Sequence, residues 1–173
     1  IMDSKKIRFE GDGYADAWQV EAEKRGLSNN KTTPVALKAQ ISKKTIALFE
    51  EMKVMNKREI EARHEIELEE YSMRIQIEGR ILGDIARNHI IPTGIKYQNI
   101  LIKNVKGLKD IFAEDFESHS QEQILIIKEI SDHIKNINSD ITSMIDARKK
   151  ANKIEDAQKR AEAYCDEVKP FFE

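Results

Sequence analysis

From residue 57 to residue 91 the chain runs without a proline and with few glycines, while apolar side chains recur every three or four positions. No other stretch limits the possible folds so tightly. Leu68, Tyr71, Ile75, Leu82 and Ile85 mark one face of a helix, and Ile66, Met73, Ile77 and Ile81 widen it. About 35 residues at a rise of about 1.5 Å each span roughly 50 Å. Alone in water such a helix would expose a broad apolar face, so the spacing predicts partner helices.

The rest of the chain supplies them. Pro92 is expected to break the long helix, with Thr93 and Gly94 completing a short connection. A second helix is predicted over 95–116, with Leu101, Val105, Leu108 and Phe112 on one stripe; Gly107 inside it costs about 1 kcal/mol relative to alanine. The polar stretch 117–120 reads as a break. A third helix over 121–152 carries Ile127, Ile130, Ile134, Ile137, Ile141 and Met144 in alternating steps of three and four, the seam of left-handed helix packing. A fourth, from residue 154, repeats the pattern with Ala157, Ala161, Tyr164, Val168 and Phe171. Short links between long helices favour antiparallel neighbours. The expected fold is therefore all-α: an up-down antiparallel helical bundle over 56–173, preceded over 1–55 by short helices and loops. In that first part, 16–25 reads as a helix closed by Gly26. Thr33 is placed to cap a helix opened by Pro34 and running to residue 40, and Ser42 to cap another ending near residue 52.

Composition agrees with this and excludes several classes of function. Hydrophobic residues at 40% can fill a core, and charged residues at 35% suit the solvated faces of long amphipathic helices. Seven glycines and three prolines are few for an all-β chain of 173 residues. A net charge of −2 provides no global basic field, so no nucleic-acid partner is expected. No apolar run is long enough for a membrane span, and the first residues lack the apolar segment of a signal peptide. Cys165 is the single cysteine, which excludes an internal disulfide and fits a reducing compartment. Both ends look cut from a longer protein.

Few residues suggest chemistry. A di-iron bundle needs two Glu-x-x-His motifs and two further glutamates. The chain has one such spacing, Glu61 to His64, and the plainer reading makes both surface residues. Glu129 and His133, four apart, flank the third-helix seam, while His89 and His119 fall near predicted helix ends. Glu78 interrupts the seam between Ile75 and Leu82; it is either a buried, paired carboxylate or, more plainly, an outward-facing one near Arg74 or Arg80. Gly11-Asp12-Gly13 lacks the spacing and lysine of a phosphate-binding loop. Lys5, Lys6 and Arg8 read as a solvated basic cluster, and Arg148, Lys149 and Lys150 as cations favoured towards a helix C-terminus. Cys165, with no histidine dyad suggested nearby, reads as a packing residue. Trp18 is expected to anchor its segment against something larger.

Longer runs carry a resemblance. Lys5-Lys6-Ile7-Arg8-Phe9-Glu10-Gly11-Asp12-Gly13-Tyr14, then Trp18 with Glu21-Ala22-Glu23-Lys24-Arg25-Gly26-Leu27-Ser28-Asn29, resemble the C-terminal part of type III glutamine synthetases. So do Thr32-Thr33-Pro34, Ala36-Leu37, Glu65-Ile66-Glu67-Leu68-Glu69-Glu70-Tyr71 and Ile75-Gln76-Ile77-Glu78. Asn88-His89-Ile90-Ile91-Pro92-Thr93, Ile95-Lys96-Tyr97-Gln98-Asn99 and Ala147-Arg148-Lys149-Lys150-Ala151-Asn152 continue it. The resemblance covers most of the chain and is most specific over 9–27 and 88–99. It implies an ATP-dependent ligase joining ammonia to glutamate with magnesium ions, in a cytoplasmic homo-oligomer. Residues 1–55 would be the tail of the catalytic domain of the same polypeptide, and 56–173 a helical extension with a structural or assembly role. The family's metal, nucleotide and catalytic motifs lie upstream and match nothing here. No catalytic, cofactor-binding or metal residue is therefore assigned, and the fragment alone is expected to be inactive. The rival reading is a stand-alone helical protein-interaction module.

Overall fold

All regular structure is helical in the computed structural model, which describes residues 8–172. The chain divides into two units, residues 1–64 and residues 65–173.

In the first unit, helix α1 (Asp16–Lys24) is followed by α2 (Thr33–Leu37) and α3 (Lys43–Glu51). Gly26, at φ 72°, closes α1: its N–H bonds the Glu23 carbonyl, and the Leu27 N–H reaches back to Ala22. That pair of bonds is a Schellman motif, which needs the left-handed residue that glycine supplies without strain. The cap of α2 lies one residue earlier than expected. Thr32 is the extended residue, Thr33 already starts the helix, and no side chain accepts a cap bond. After Leu37 the backbone tightens into i→i+3 bonds as far as Gln40. Ser42 caps α3 as expected, its hydroxyl accepting the Thr45 N–H at 3.2 Å.

The end of α3 repeats the Schellman geometry with no glycine. Lys53, at φ 54°, donates to Glu50, and Val54 donates to Phe49. Helix α4 (Lys57–Ile85) then opens on a reciprocal cap: Asn56 Oδ1 accepts the Glu59 N–H at 3.0 Å while Glu59 Oε2 accepts the Asn56 N–H at 2.8 Å.

The second unit contains the rest of α4, then α5 (Ile91–Phe112), α6 (Phe116–Ala151) and α7 (Ala157–Ala163). Pro92 does not break the helix as expected. α4 passes into α5 through a π-turn at Ala86–Ile90, in which the Ile91 N–H bonds the carbonyl of Ala86. In an α-helix a proline ring strikes the carbonyl four residues back. The wider π-turn, ending two residues before Pro92, lets the chain stay helical through it. The same device recurs at the end of the chain. α7 continues into a π-turn at Tyr164–Val168, closed by the Lys169 N–H on Tyr164, and Pro170 follows directly.

The reversal of direction comes instead at a 3-10 turn, Ala113–Asp115, where Ala113 takes φ 39°. The expected polar break at 117–120 is the first turn of α6. Contacts then define an antiparallel hairpin: Gln76 to Asn152, Arg87 to Thr142, Gln98 to Ser131 and Asn104 to Gln123. α7 is capped by Asp156, whose carboxylate accepts the Lys159 N–H at 2.8 Å. It runs back alongside α4, with Arg160 bonded to Glu69 and Phe172 beside Gly79.

The core lies where these three passes meet. Ile75, Met144, Ala151, Tyr164 and Val168 are buried there, with Tyr71, Leu82, Ala147, Phe171 and Phe172 packed around them. Gly79 and Gly83, one helical turn apart on α4, face Met144, Ile141 and Phe172; a β-carbon on either would make ordinary contacts at 3.5–3.7 Å.

Candidate functional site

The residues singled out for chemistry are scattered. His64 is a correction: it is not a surface residue but 7% exposed, with Nδ1 lacking a hydrogen-bond partner. Ile60, His64 and Leu68 are buried at steps of four, so His64 occupies a row of the helix otherwise filled by apolar side chains. Glu61 is exposed, so the Glu61–His64 spacing does not place the two side chains in one environment. Glu129, His133 and His89 are exposed; His119, also exposed, stacks on Phe112 with ring centres 4.1 Å apart. Glu78 faces out, as in its plainer reading, and Arg74 pairs with Glu70 instead. Among the described residues no three His, Cys, Asp or Glu side chains converge in a way that could hold a metal ion.

Gly11-Asp12-Gly13 forms an Asx turn in which Asp12 Oδ1 accepts the Tyr14 N–H at 2.9 Å. Of the basic cluster beside it, Lys5 and Lys6 lie outside the described residues, and Arg8 pairs with Glu10 at 3.0 Å. Trp18 stacks on Phe9 at 4.2 Å, beneath the Arg25 guanidinium, which donates to the Arg8 carbonyl at 2.6 Å. Its contacts thus tie residues 8–10 to α1 within its own segment.

Cys165 is buried and shares a hydrogen bond with the Tyr71 hydroxyl. Burial, then that bond, push the Tyr71 phenol well above its ordinary value. Tyr164 is also raised by burial, against the opposing pull of Arg148 and Arg80. Its hydroxyl donates to Asn152 Oδ1 at 2.6 Å, and Gln76 donates to the same oxygen at 3.1 Å. Burial holds both phenols neutral, and their hydrogen bonds tie α4 to the end of α6 and to the turn after α7.

What the surface does offer is an uncovered apolar row. Ile66, Met73, Ile77 and Ile81, expected to widen the buried face of α4, are 48–54% exposed. The hairpin and α7 cover only the Leu68–Ile75 side of the helix. Ile85, expected on the buried face, is also exposed. The described helices include none long and apolar enough to cross a membrane.

Comparison with known proteins places these observations in one family. Residues 1–109 match the family model of the glutamine synthetase C-terminal domain. The whole chain is 41% identical over 174 residues to a glutamine synthetase of Bacteroides fragilis, of which it covers 24%. A glutamine synthetase of Butyrivibrio fibrisolvens is 35% identical over 66% of the chain, and a type-3 glutamine synthetase of Dictyostelium discoideum 33% identical over 70%. In each of those two the match covers 16% of the relative.

Proposed function

This chain belongs to the glutamine synthetase C-terminal domain family, and we propose that it is the C-terminal helical segment of a longer glutamine synthetase, supporting that enzyme's assembly and carrying out no chemistry itself. One observation carries the proposal: the relative from Bacteroides fragilis matches all of this chain, yet the chain spans only 24% of that relative. The longer enzyme would ligate ammonia to glutamate at the expense of ATP, as a cytoplasmic homo-oligomer, with residues 1–55 completing its catalytic domain and 56–173 forming the extension. ATP and magnesium belong, in this reading, to the upstream part of the polypeptide. The donors needed for a metal do not converge among the described residues.

The exposed row on α4 supports an assembly role. Four half-exposed apolar side chains on one helix face fit contact with the remainder of the longer enzyme better than permanent contact with water. The test is direct. The chain, produced alone and verified as helical, is incubated with glutamate, ammonia, ATP and magnesium, and glutamine is measured. No turnover is expected; turnover by the isolated chain would overturn the reading.

A further inference from the structure

The second unit contains a groove that the assembly reading does not use. It lies between the end of α4 and α6, has a volume of about 330 Å³, and is lined by Gly79, Arg80, Gly83, Asp84, Arg87 and Arg148, among others. Arg80, Asp84 and Arg87 follow at steps of four and three, so they share one helix face. Arg148 comes across from α6, half-buried. Gly79 and Gly83 put no side chain into the groove.

The charges in this groove do not neutralise one another. Three arginines face one aspartate, a formal excess of two positive charges. Asp84 takes the amide of Asn88 at 2.6 Å. None of the three guanidiniums has a carboxylate within salt-bridging distance among the described residues. Arg87 is held towards α6 by Thr142 Oγ1 at 3.5 Å, and that hydroxyl is itself anchored on the Asn138 carbonyl. Three guanidiniums from two packed helices, those of Arg80 and Arg87 exposed and that of Arg148 half-buried, thus line one groove with a single carboxylate among them.

We propose that this groove binds a phosphate group, held by Arg80, Arg87 and Arg148. A guanidinium presents parallel N–H donors that match phosphate oxygens two at a time. A phosphate monoester carries a charge of about −1.5 to −2 near neutral pH, which balances the groove, whereas a single carboxylate would balance half of it. The volume, at the lower end of small-ligand sites, leaves room for more than the bare ion. Free phosphate and the phosphates of a nucleotide share this chemistry.

The full chain is titrated calorimetrically with inorganic phosphate and, separately, with ATP, with sodium chloride at matched ionic strength as the control. The expected result is saturable binding of phosphate or ATP that chloride does not reproduce. Affinity should fall about tenfold or more in R87Q/R148Q, and change by less than about twofold in K149Q/K150Q, whose charges lie outside the groove. R148K retains the charge without the fork and should bind more weakly than the parent but better than the glutamine variant. Circular dichroism verifies that each variant is as helical as the parent. Tighter binding of ATP than of phosphate identifies a nucleotide as the source; equal binding identifies the free ion. No saturation by either ligand, an equal response to chloride, or equal loss in the lysine variant would overturn the proposal. Each of these outcomes is independent of whether the chain turns over glutamate.

Discussion

At the scale of single residues, two helix ends with the same hydrogen-bond pattern are solved by different side chains. Gly26 closes α1 at φ 72°, and Lys53 closes α3 at φ 54°. Left-handed backbone costs an ordinary L-residue about 1–2 kcal/mol, and glycine very little. Lys53→Gly is therefore expected to raise stability by about 1 kcal/mol and Gly26→Ala to lower it by a similar amount, read from urea midpoints. Equal effects of one sign would show that the backbone at the two ends differs. Gly26 could be read from the sequence as a stop, because glycine after a helical run is a strong signal. Lys53 could not, since nothing local distinguishes a lysine forced into this region by the chain's path. His64 was misread for a related reason. Type and Glu-x-x-His spacing said surface, whereas its register with Ile60 and Leu68 said interior, and register decides burial. Asn56 and Glu59 stand at capping-box spacing, a signal that the sequence does carry.

At the scale of elements, the apolar seams were legible because burial imposes them. Ile141, Met144, Ala161, Tyr164 and Val168 are all buried, and these were seam positions from spacing alone. The connections were less legible. A proline in a helical pattern usually ends the helix, but here a π-turn precedes both Pro92 and Pro170 and carries the backbone onward. Local rules cannot show whether packing downstream compensates for a missing N–H. Here the continuation into α5 is held by the long contact with α6 at Gln98 and Asn104. Pro92→Ala should accordingly leave the helical circular dichroism signal intact and raise stability by about 1 kcal/mol, by restoring a donor inside a continuous helix. A fall in helicity, or destabilisation by more than about 1 kcal/mol, would show that proline holds the π-turn in place. The widened face of α4 was the other overestimate: periodicity identified an apolar surface, but its coverage depends on how many partners arrive, and only one side receives them.

At the scale of the whole molecule, that uncovered side is what supports the assembly role. The fold explains a rigid helical hairpin joined by a third pass and a buried, polar-buttressed junction around Tyr164. It does not itself use Ile66, Met73, Ile77 or Ile81. In an isolated helix protein such residues add little stability, whereas in a segment of a larger enzyme they would be contact surface. The groove was not legible in the sequence, because Arg80, Arg87 and Arg148 become neighbours only when α6 folds back on α4; along the chain Arg148 is a helix-end cation, Arg80 a neighbour of Glu78, and Arg87 stands in no motif.

The most direct measurement replaces Met73, Ile77 and Ile81 together with serine, both in the isolated chain and in the longer enzyme, and records stability, assembly mass by light scattering, and glutamine formation. Exposed substitutions of this kind cost at most about 0.5 kcal/mol each when nothing packs on them, so the isolated chain should unfold nearly as before. The longer enzyme should fall to smaller species and lose turnover with them. Unchanged mass and unchanged glutamine formation in the longer enzyme would contradict an assembly role for this segment.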